Sequence, residues 1–270
     1  MEGADRMKNT SLTAQERYLK KRRQTFIRIR IVQASILILF LSLWELLTRL
    51  GVLNAFLLSS PSRMLRSAVE LMKDGSLFYH TGVTLAETFV SFALVILLGV
   101  LIAVLLWWNE TFSRILEPYL VVLNSLPKSA LAPVFIVCFG NNIKSVIIAA
   151  VSVAVFSAIL TLYTAFLSTE EEKIKLIYTL GGTKKDVLTK VILPGNFPVI
   201  ISVMKVSIGL SLVGVIIGEF LAANAGLGYL IIYSSQVFKL DWTMLSIAIL
   251  CVVAVGLYEL LAQIEKRVKF

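Results

Sequence analysis

The chain is nearly bare of the residues that carry most metal and redox chemistry. It has a single histidine, His80, and two cysteines, Cys138 and Cys251. One imidazole excludes a histidine cluster. Cysteines that both fall inside apolar runs build neither a disulfide framework nor a thiolate metal site. Acidic residues are few as well, 17 against 26 lysines and arginines, which leaves a net charge of +9. There is no G-x-x-x-x-G-K-[ST] run to cradle a nucleotide's phosphates, so a nucleotide held in that way has to sit on another chain. No nucleophile and base pair stands out, and this argues against an enzyme, including one embedded in a membrane.

Apolar residues are abundant instead. They make up 57% of the sequence, where soluble domains run at about 45–50%. A soluble chain of 270 residues would need an oversized core to bury them, so lipid is the simpler solvent. Crossing the hydrocarbon core takes about 20 apolar residues, and about six runs qualify. They are roughly 31–50, 83–107, 115–139, 145–167, 197–221 and 242–261. The fold class expected is an all-α polytopic membrane protein.

The basic residues flank these runs rather than forming a patch, so they read as topology signals and not as a nucleic-acid site. Arg17 to Arg30, Arg114, Lys173 to Lys190 and Lys266 to Lys269 fall on one side if the N-terminus is cytoplasmic. An even number of spans then returns the C-terminus to the same side. Residues 1–30 form a cytoplasmic basic segment, too long for the charged region of a secretory signal, and residues 31–270 form the membrane domain.

Between the first two runs, PSRMLRSAVELMKDG predicts a short amphipathic helix with Met64, Leu65, Ala68, Leu71 and Met72 on one face. Ionisable residues at membrane depth cost about 2.5–3.5 kcal/mol each and need a reason. Glu45 and Arg49, four apart, are expected to pair. Glu87 and Glu259 are expected to reach the interface from span ends. Lys205 either snorkels or lines a path. Glu219 is either a gate or interface residue or a solvated helix end. Asn124, Ser125, Pro127, Lys128 and Pro133 interrupt the third run, and helix breaks are tolerated where they line a cavity. Candidate path residues are therefore Asn124, Ser125, Pro127, Lys128, Lys205 and Glu219. Fixed positive charges are few there, which argues against a bare multivalent anion as cargo.

The cytoplasmic loop at about 168–194 carries the most information. Ser168 or Thr169 can cap a helix whose first turn holds Glu170, Glu171 and Glu172. Ile174, Ile177, Tyr178 and Leu180 recur at helical spacing, and Gly181-Gly182 permits a left-handed ending. Thr183 starts a second helix with Asp186 as a capping-box partner. Val187, Leu188, Val191 and Ile192 form its apolar face, and Pro194 is expected to stop it.

Gly181, nine residues, Val191, one residue and Leu193-Pro194 together give G-x9-[IV]-x-L-P. This resembles the EAA loop of ATP-binding-cassette (ABC) importer permeases. LLSSPSRML, DGSLFYHTGVTLAETF, LPKSALAPVFIVCFGNN, GEFLAANAGLGYLI and LAQIEKRVKF resemble segments of the nitrate/sulfonate/taurine-type members, in order, over roughly residues 54–270. Where that family has Glu-Ala-Ala, this chain has Lys175, Leu176 and Ile177. The resemblance implies a type I importer permease fold that couples to an ATPase through Glu171, Glu172, Ile174, Ile177, Tyr178, Leu180, Gly181, Gly182, Thr183, Val191, Leu193 and Pro194. It also implies a homodimer, two cytoplasmic ATPase subunits that bind ATP and Mg, and an extracytoplasmic solute-binding protein, all in a bacterial cell membrane. No cofactor is expected in the chain itself. The cargo implied is a small solute: a sulfonate, nitrate, taurine, or a pyrimidine or vitamin precursor. A stand-alone secondary transporter or channel is the competing reading.

Overall fold

A computed structural model describes residues 14–268, and among them every regular element is helical. The chain divides into two compact units, Met1–Leu65 and Arg66–Phe270. The basic segment before residue 14 lies outside the described residues.

The first unit is dominated by α1 (Ala14–Arg49), a single helix of 36 residues that continues unbroken from the basic segment into the first apolar run. Its apolar part, Ile27–Arg49, has only 6% of its most apolar window buried, and Ile36, Leu39 and Phe40 project outward. Such a surface suits acyl chains. Glu45 pairs with Arg49 at 2.8 Å as the spacing predicts. Its second oxygen also accepts from the Ser62 backbone N–H at 3.1 Å, and Oε1 from the Ser62 hydroxyl at 2.7 Å. Glu45 thereby caps the positive N-terminal end of α3 (Pro61–Lys73). Between them, α2 (Ala55–Leu58) is capped by the Asn54 side chain.

In the second unit, α4 (Ser76–Trp108), α7 (Ile143–Leu167) and α11 (Phe197–Ala222) are the long apolar helices that pack on one another. Their shared core includes Val95, Ala103, Leu106, Ala158, Leu162 and Phe166. Small residues set the distance of approach. Gly214 and Gly218 form a G-x-x-x-G pair on α11, and a Cβ there would lie 2.6 Å from the Ala150 Cα and 2.8 Å from the Val146 Cα of α7. In lipid, where tails are as apolar as leucine, such backbone contact is what holds helices together.

The third apolar run is not one straight span. α5 (Glu110–Ser125) and α6 (Lys128–Phe139) meet at 104°. Pro127 lacks a donor and forces Leu126 to ψ 143°, outside the helical region. Among the described residues, five helices are long and apolar enough to cross a membrane, or six with this bent pair as one. The family of short elements α8 (Glu171–Thr179), α9 (Lys184–Val187) and α10 (Leu193–Gly195) joins α7 to α11. After α11 come α12 (Leu227–Gln236) and α13 (Leu240–Val268).

The amphipathic helix forms, but its buried face is turned from the expected one. Ser67 and Leu71 are buried, whereas Leu65 and Met72 are exposed. Positions 64, 67, 68 and 71 share one stripe at 3.6 residues per turn, and 65 and 72 fall beside it.

Gly214→Ala is expected to force α7 and α11 apart and to lower stability by about 1–3 kcal/mol, the usual range for overpacking. Gly256→Ala, at a glycine with nothing within 4 Å of a new Cβ, should be near neutral. Thermal unfolding of the purified protein in detergent, followed by fluorescence, checks the pair.

Candidate functional site

The loop after α7 is built from two complementary caps. α8 ends in a Schellman motif, with the Gly182 N–H donating to the Ile177 carbonyl at 2.9 Å and the Gly181 N–H to the Tyr178 carbonyl at 3.0 Å. Gly181 has φ +82°, and a Cβ on Gly182 would sit 2.5 Å from Ile177 Cγ2, so each glycine is required for a different reason. Thr183 then opens α9 with a reciprocal capping box to Asp186. Lys190 lies 2.7 Å from Asp186. Lys190 first, then the Thr183 hydroxyl and N–H, hold the Asp186 carboxyl below the ordinary carboxylate range. A lowered folded-state value means this support is present above the ordinary value near 3.8 and is lost only as pH falls through the folded one.

Two expectations for this loop are corrected. Neither Ser168 nor Thr169 caps α8, whose N-cap is Glu170 without a side-chain bond. Ser168 donates back to the Thr164 carbonyl at 2.8 Å, and the Thr169 hydroxyl accepts from the Asn196 amide at 2.9 Å, which ties the loop's start to its end. Pro194 does not stop the second helix. The chain widens into a π turn over Leu188–Ile192, with the Leu193 N–H donating to the Leu188 carbonyl, and continues to Gly195. Widening the turn accommodates the donor that proline lacks.

The loop has an inner and an outer side. Val187 and Ile192 are fully buried, and Ile174, Ile177, Leu188 and Leu193 pack against the same core. Tyr178 and Leu180 face outward, with Leu180 75% exposed, and so does Leu176, which sequence periodicity does not single out. Glu171 pairs with Lys175 at 3.0 Å. Glu172 and Pro194 are exposed, and Val191 is half-buried. Lys184 was also missed. Its ammonium donates to the Trp108 carbonyl at 2.7 Å and lies 5.5 and 5.6 Å from the Trp107 and Trp108 rings. A cation thus fastens the loop to the C-terminal end of α4. The Trp107-Trp108 pair at a span's end was the available signal.

At the other end of α11 lies a second buried polar cluster. Glu219 is 1% exposed, so it is no solvated helix end. It accepts from the Thr84 hydroxyl at 2.7 Å and from the Gly228 N–H at 2.5 Å. Thr84 in turn accepts from the Leu227 N–H at 2.8 Å, and the Gly226 N–H donates to His80 Nδ1 at 3.0 Å. The turn must be glycine-built. Gly226 has φ +107°, and a Cβ there would collide with the Glu219 carboxylate. Glu87, expected at the interface, is instead 3% exposed and lies within the α4–α11 contact. It faces inward because Thr84, Glu87, Thr88 and Ser91 share one stripe of α4, and all four are buried. Glu259 is exposed.

The remaining candidates are not brought together. Asn124 and Lys128 bridge the α5–α6 corner at 3.2 Å, beside Ser125 and Pro127. Lys205 is ion-paired with Glu265 of α13. It stands 14 residues from Glu219, roughly 21 Å along the helix. Among the described residues no group of three or more His, Cys, Asp or Glu could hold a metal.

Comparison with known proteins decides the family. Residues 95–266 match the family described as binding-protein-dependent transport system inner membrane component. The formylaminopyrimidine transport permease protein ThiX of Halalkalibacterium halodurans is 33% identical over 192 residues, 71% of this chain and 76% of that protein. The chain belongs to this family. A putative aliphatic sulfonates transport permease protein, SsuC of Bacillus subtilis, is 26% identical over 79% of this chain and 77% of its own. Among solved structures, an inward-facing MetNI methionine ABC transporter superposes with a TM-score of 0.62 at 20% identity, covering 70% of this chain and 94% of that one. A bacterial importer of the polysaccharide alginate gives 0.65 at 12% identity, covering 94% and 100%. The fold is that of type I importer permeases. This family member is the membrane-spanning permease subunit of an ATP-driven importer, and its job is transport in concert with ATPase and binding-protein partners.

Thr84→Val keeps the shape of the permease's α4 but leaves the Leu227 N–H without its acceptor and Glu219 short of a donor. The expected loss is about 1–3 kcal/mol, the cost of a buried polar group left unpaired. Thr84→Ser should restore most of it, and detergent melting of both variants checks the difference.

Proposed function

We propose that residues 168–194 are the surface on which a cytoplasmic ATPase docks and through which it moves this permease. One observation carries the reading: a loop anchored on its inner side by Ile174, Ile177, Val187 and Ile192 presents Leu176, Tyr178 and Leu180 to solvent. Apolar side chains held on a rigid, doubly capped helical turn fit a groove in a partner. The inner anchors belong to the same core as α4 and α7, so a push on the loop is delivered to the spans rather than absorbed by it. Lys175 stands where the family has glutamate. Its pair with Glu171 is exposed on both sides and contributes little, so docking rests on shape and apolar contact.

In this reading both termini are cytoplasmic, in keeping with the placement of the basic residues. Two copies form the membrane body in a bacterial cell membrane, ATP and Mg bind on the partner ATPases, and a solute-binding protein delivers cargo at the end where Glu219 and the Gly226 turn lie. Residues 31–270 act as the permease domain, with the basic segment before them on the cytoplasmic side. The cargo is a small solute of the kind handled by relatives, which include a formylaminopyrimidine permease and a taurine transport system permease.

Affinity purification of the tagged chain from native membranes in mild detergent tests the docking surface. An ABC ATPase should travel with the wild type and be lost by tenfold or more from Leu180→Glu. Met72→Glu, an exposed apolar position on α3, should retain it. Undiminished ATPase on Leu180→Glu would sink the assignment.

A further inference from the structure

Exposed faces of the helices are not alike. α1, α4 and α13 present large apolar residues such as Leu39, Leu97, Leu101, Val252 and Val255. The outer side of the α7–α11 pair mixes such residues, Val206 among them, with hydroxyls. Two adjoining clefts run along it, sharing Thr161, one lined by Ser157, Thr161, Ser202 and Ser207 and the other by Thr161, Thr164 and Ser168. The second is an open depression of about 460 Å³. Val206, Leu210, Leu160 and Val199 supply the apolar remainder.

Two of these hydroxyls are oriented. Thr161 Oγ1 donates its hydrogen to the Ser157 carbonyl, and Ser168 Oγ to the Thr164 carbonyl, both at 2.8 Å. With these two protons committed to the helix's own backbone, the Thr161 and Ser168 oxygens are left as acceptors. No charged side chain lines either cleft. The lysine at this depth, Lys205, is held by Glu265. Two committed acceptors with no charged side chain beside them accommodate donors and give a sulfonate or nitrate no positive charge to offset its lost hydration.

We propose that this cleft is the cytoplasmic half of the translocation path, and that it passes an uncharged solute rich in N–H or O–H donors, of the aminopyrimidine class, in preference to sulfonates or nitrate. The proposal rests on the orientation given above and on solute crossing through this subunit. The path it names differs from the corner at Asn124 to Lys128 to which the sequence points.

The test has two arms, both in the full chain with its native partners and with Cys138 and Cys251 replaced by alanine. In inside-out vesicles, Thr161→Cys should react with a water-soluble, membrane-impermeant methanethiosulfonate, whereas Leu97→Cys should not. No reaction at Thr161→Cys, with the ATPase still co-purifying, overturns the cleft as a path while leaving the importer role standing. In cells, radiolabelled formylaminopyrimidine should be taken up in a manner dependent on this chain, and Thr161→Val should cut that uptake fivefold or more with ATPase co-purification unchanged. Chain-dependent uptake of taurine, or full uptake of the pyrimidine by Thr161→Val, would overturn the selectivity.

Discussion

The contact on which the rest depends is the close approach of α11 to α7 at Gly214 and Gly218. Two missing side chains let the α11 backbone rest on Ala150 and Val146. In water, burial of leucines would drive such a pair together. In lipid that force is absent, and van der Waals contact between backbones takes its place. Gly99 does the same on a smaller scale between α4 and α7, where a Cβ would meet the Ala158 Cβ at 3.3 Å. Three helices thus become one body with working parts at both ends.

At one end the body fixes a carboxylate. Burying Glu219 is costly unless it is hydrogen-bonded, and the turn at Gly226–Gly228 supplies the Gly228 N–H, which only a Cβ-free chain could bring so near. Thr84 completes the set from α4, so α4, the C-terminal end of α11 and the N-terminal end of α12 are joined through one group. At the other end the Schellman turn, the capping box and Lys184 on the Trp108 carbonyl make the loop between α7 and α11 as ordered as the helices it joins. A loop with that order can transmit force.

Much of this was legible in the sequence, because lipid and the backbone leave few choices. Runs of about 20 apolar residues have to be spans. Gly181-Gly182 and Thr183-x-x-Asp186 each encode a local hydrogen-bond pattern that forms wherever the chain allows it, and both caps stand as read. What the sequence hid depends on contacts between distant segments. The burial of Glu87 follows from which stripe of α4 faces α11, and Leu176 is outward because Ile174 and Ile177 were claimed by the core. Lys205 could be read as snorkelling or as lining a path, since Glu265 is 60 residues away. The G-x-x-x-G at 214–218 was visible but carries meaning only beside Val146 and Ala150. Pro194 misled because a π turn can accommodate proline where a regular α-helix cannot.

If α7 and α11 move as one body, a nucleotide cycle should rearrange that body against its surroundings without changing its inside. Electron–electron resonance between spin labels at Leu167→Cys on α7 and Phe220→Cys on α11 reads this directly, in the assembled importer with Cys138 and Cys251 replaced. An unchanged distance between the nucleotide-free and ATP-bound states is the result expected. A shift of several ångströms would show that the two helices slide or splay, and that the glycine contact is not what carries motion from the loop to the Glu219 end.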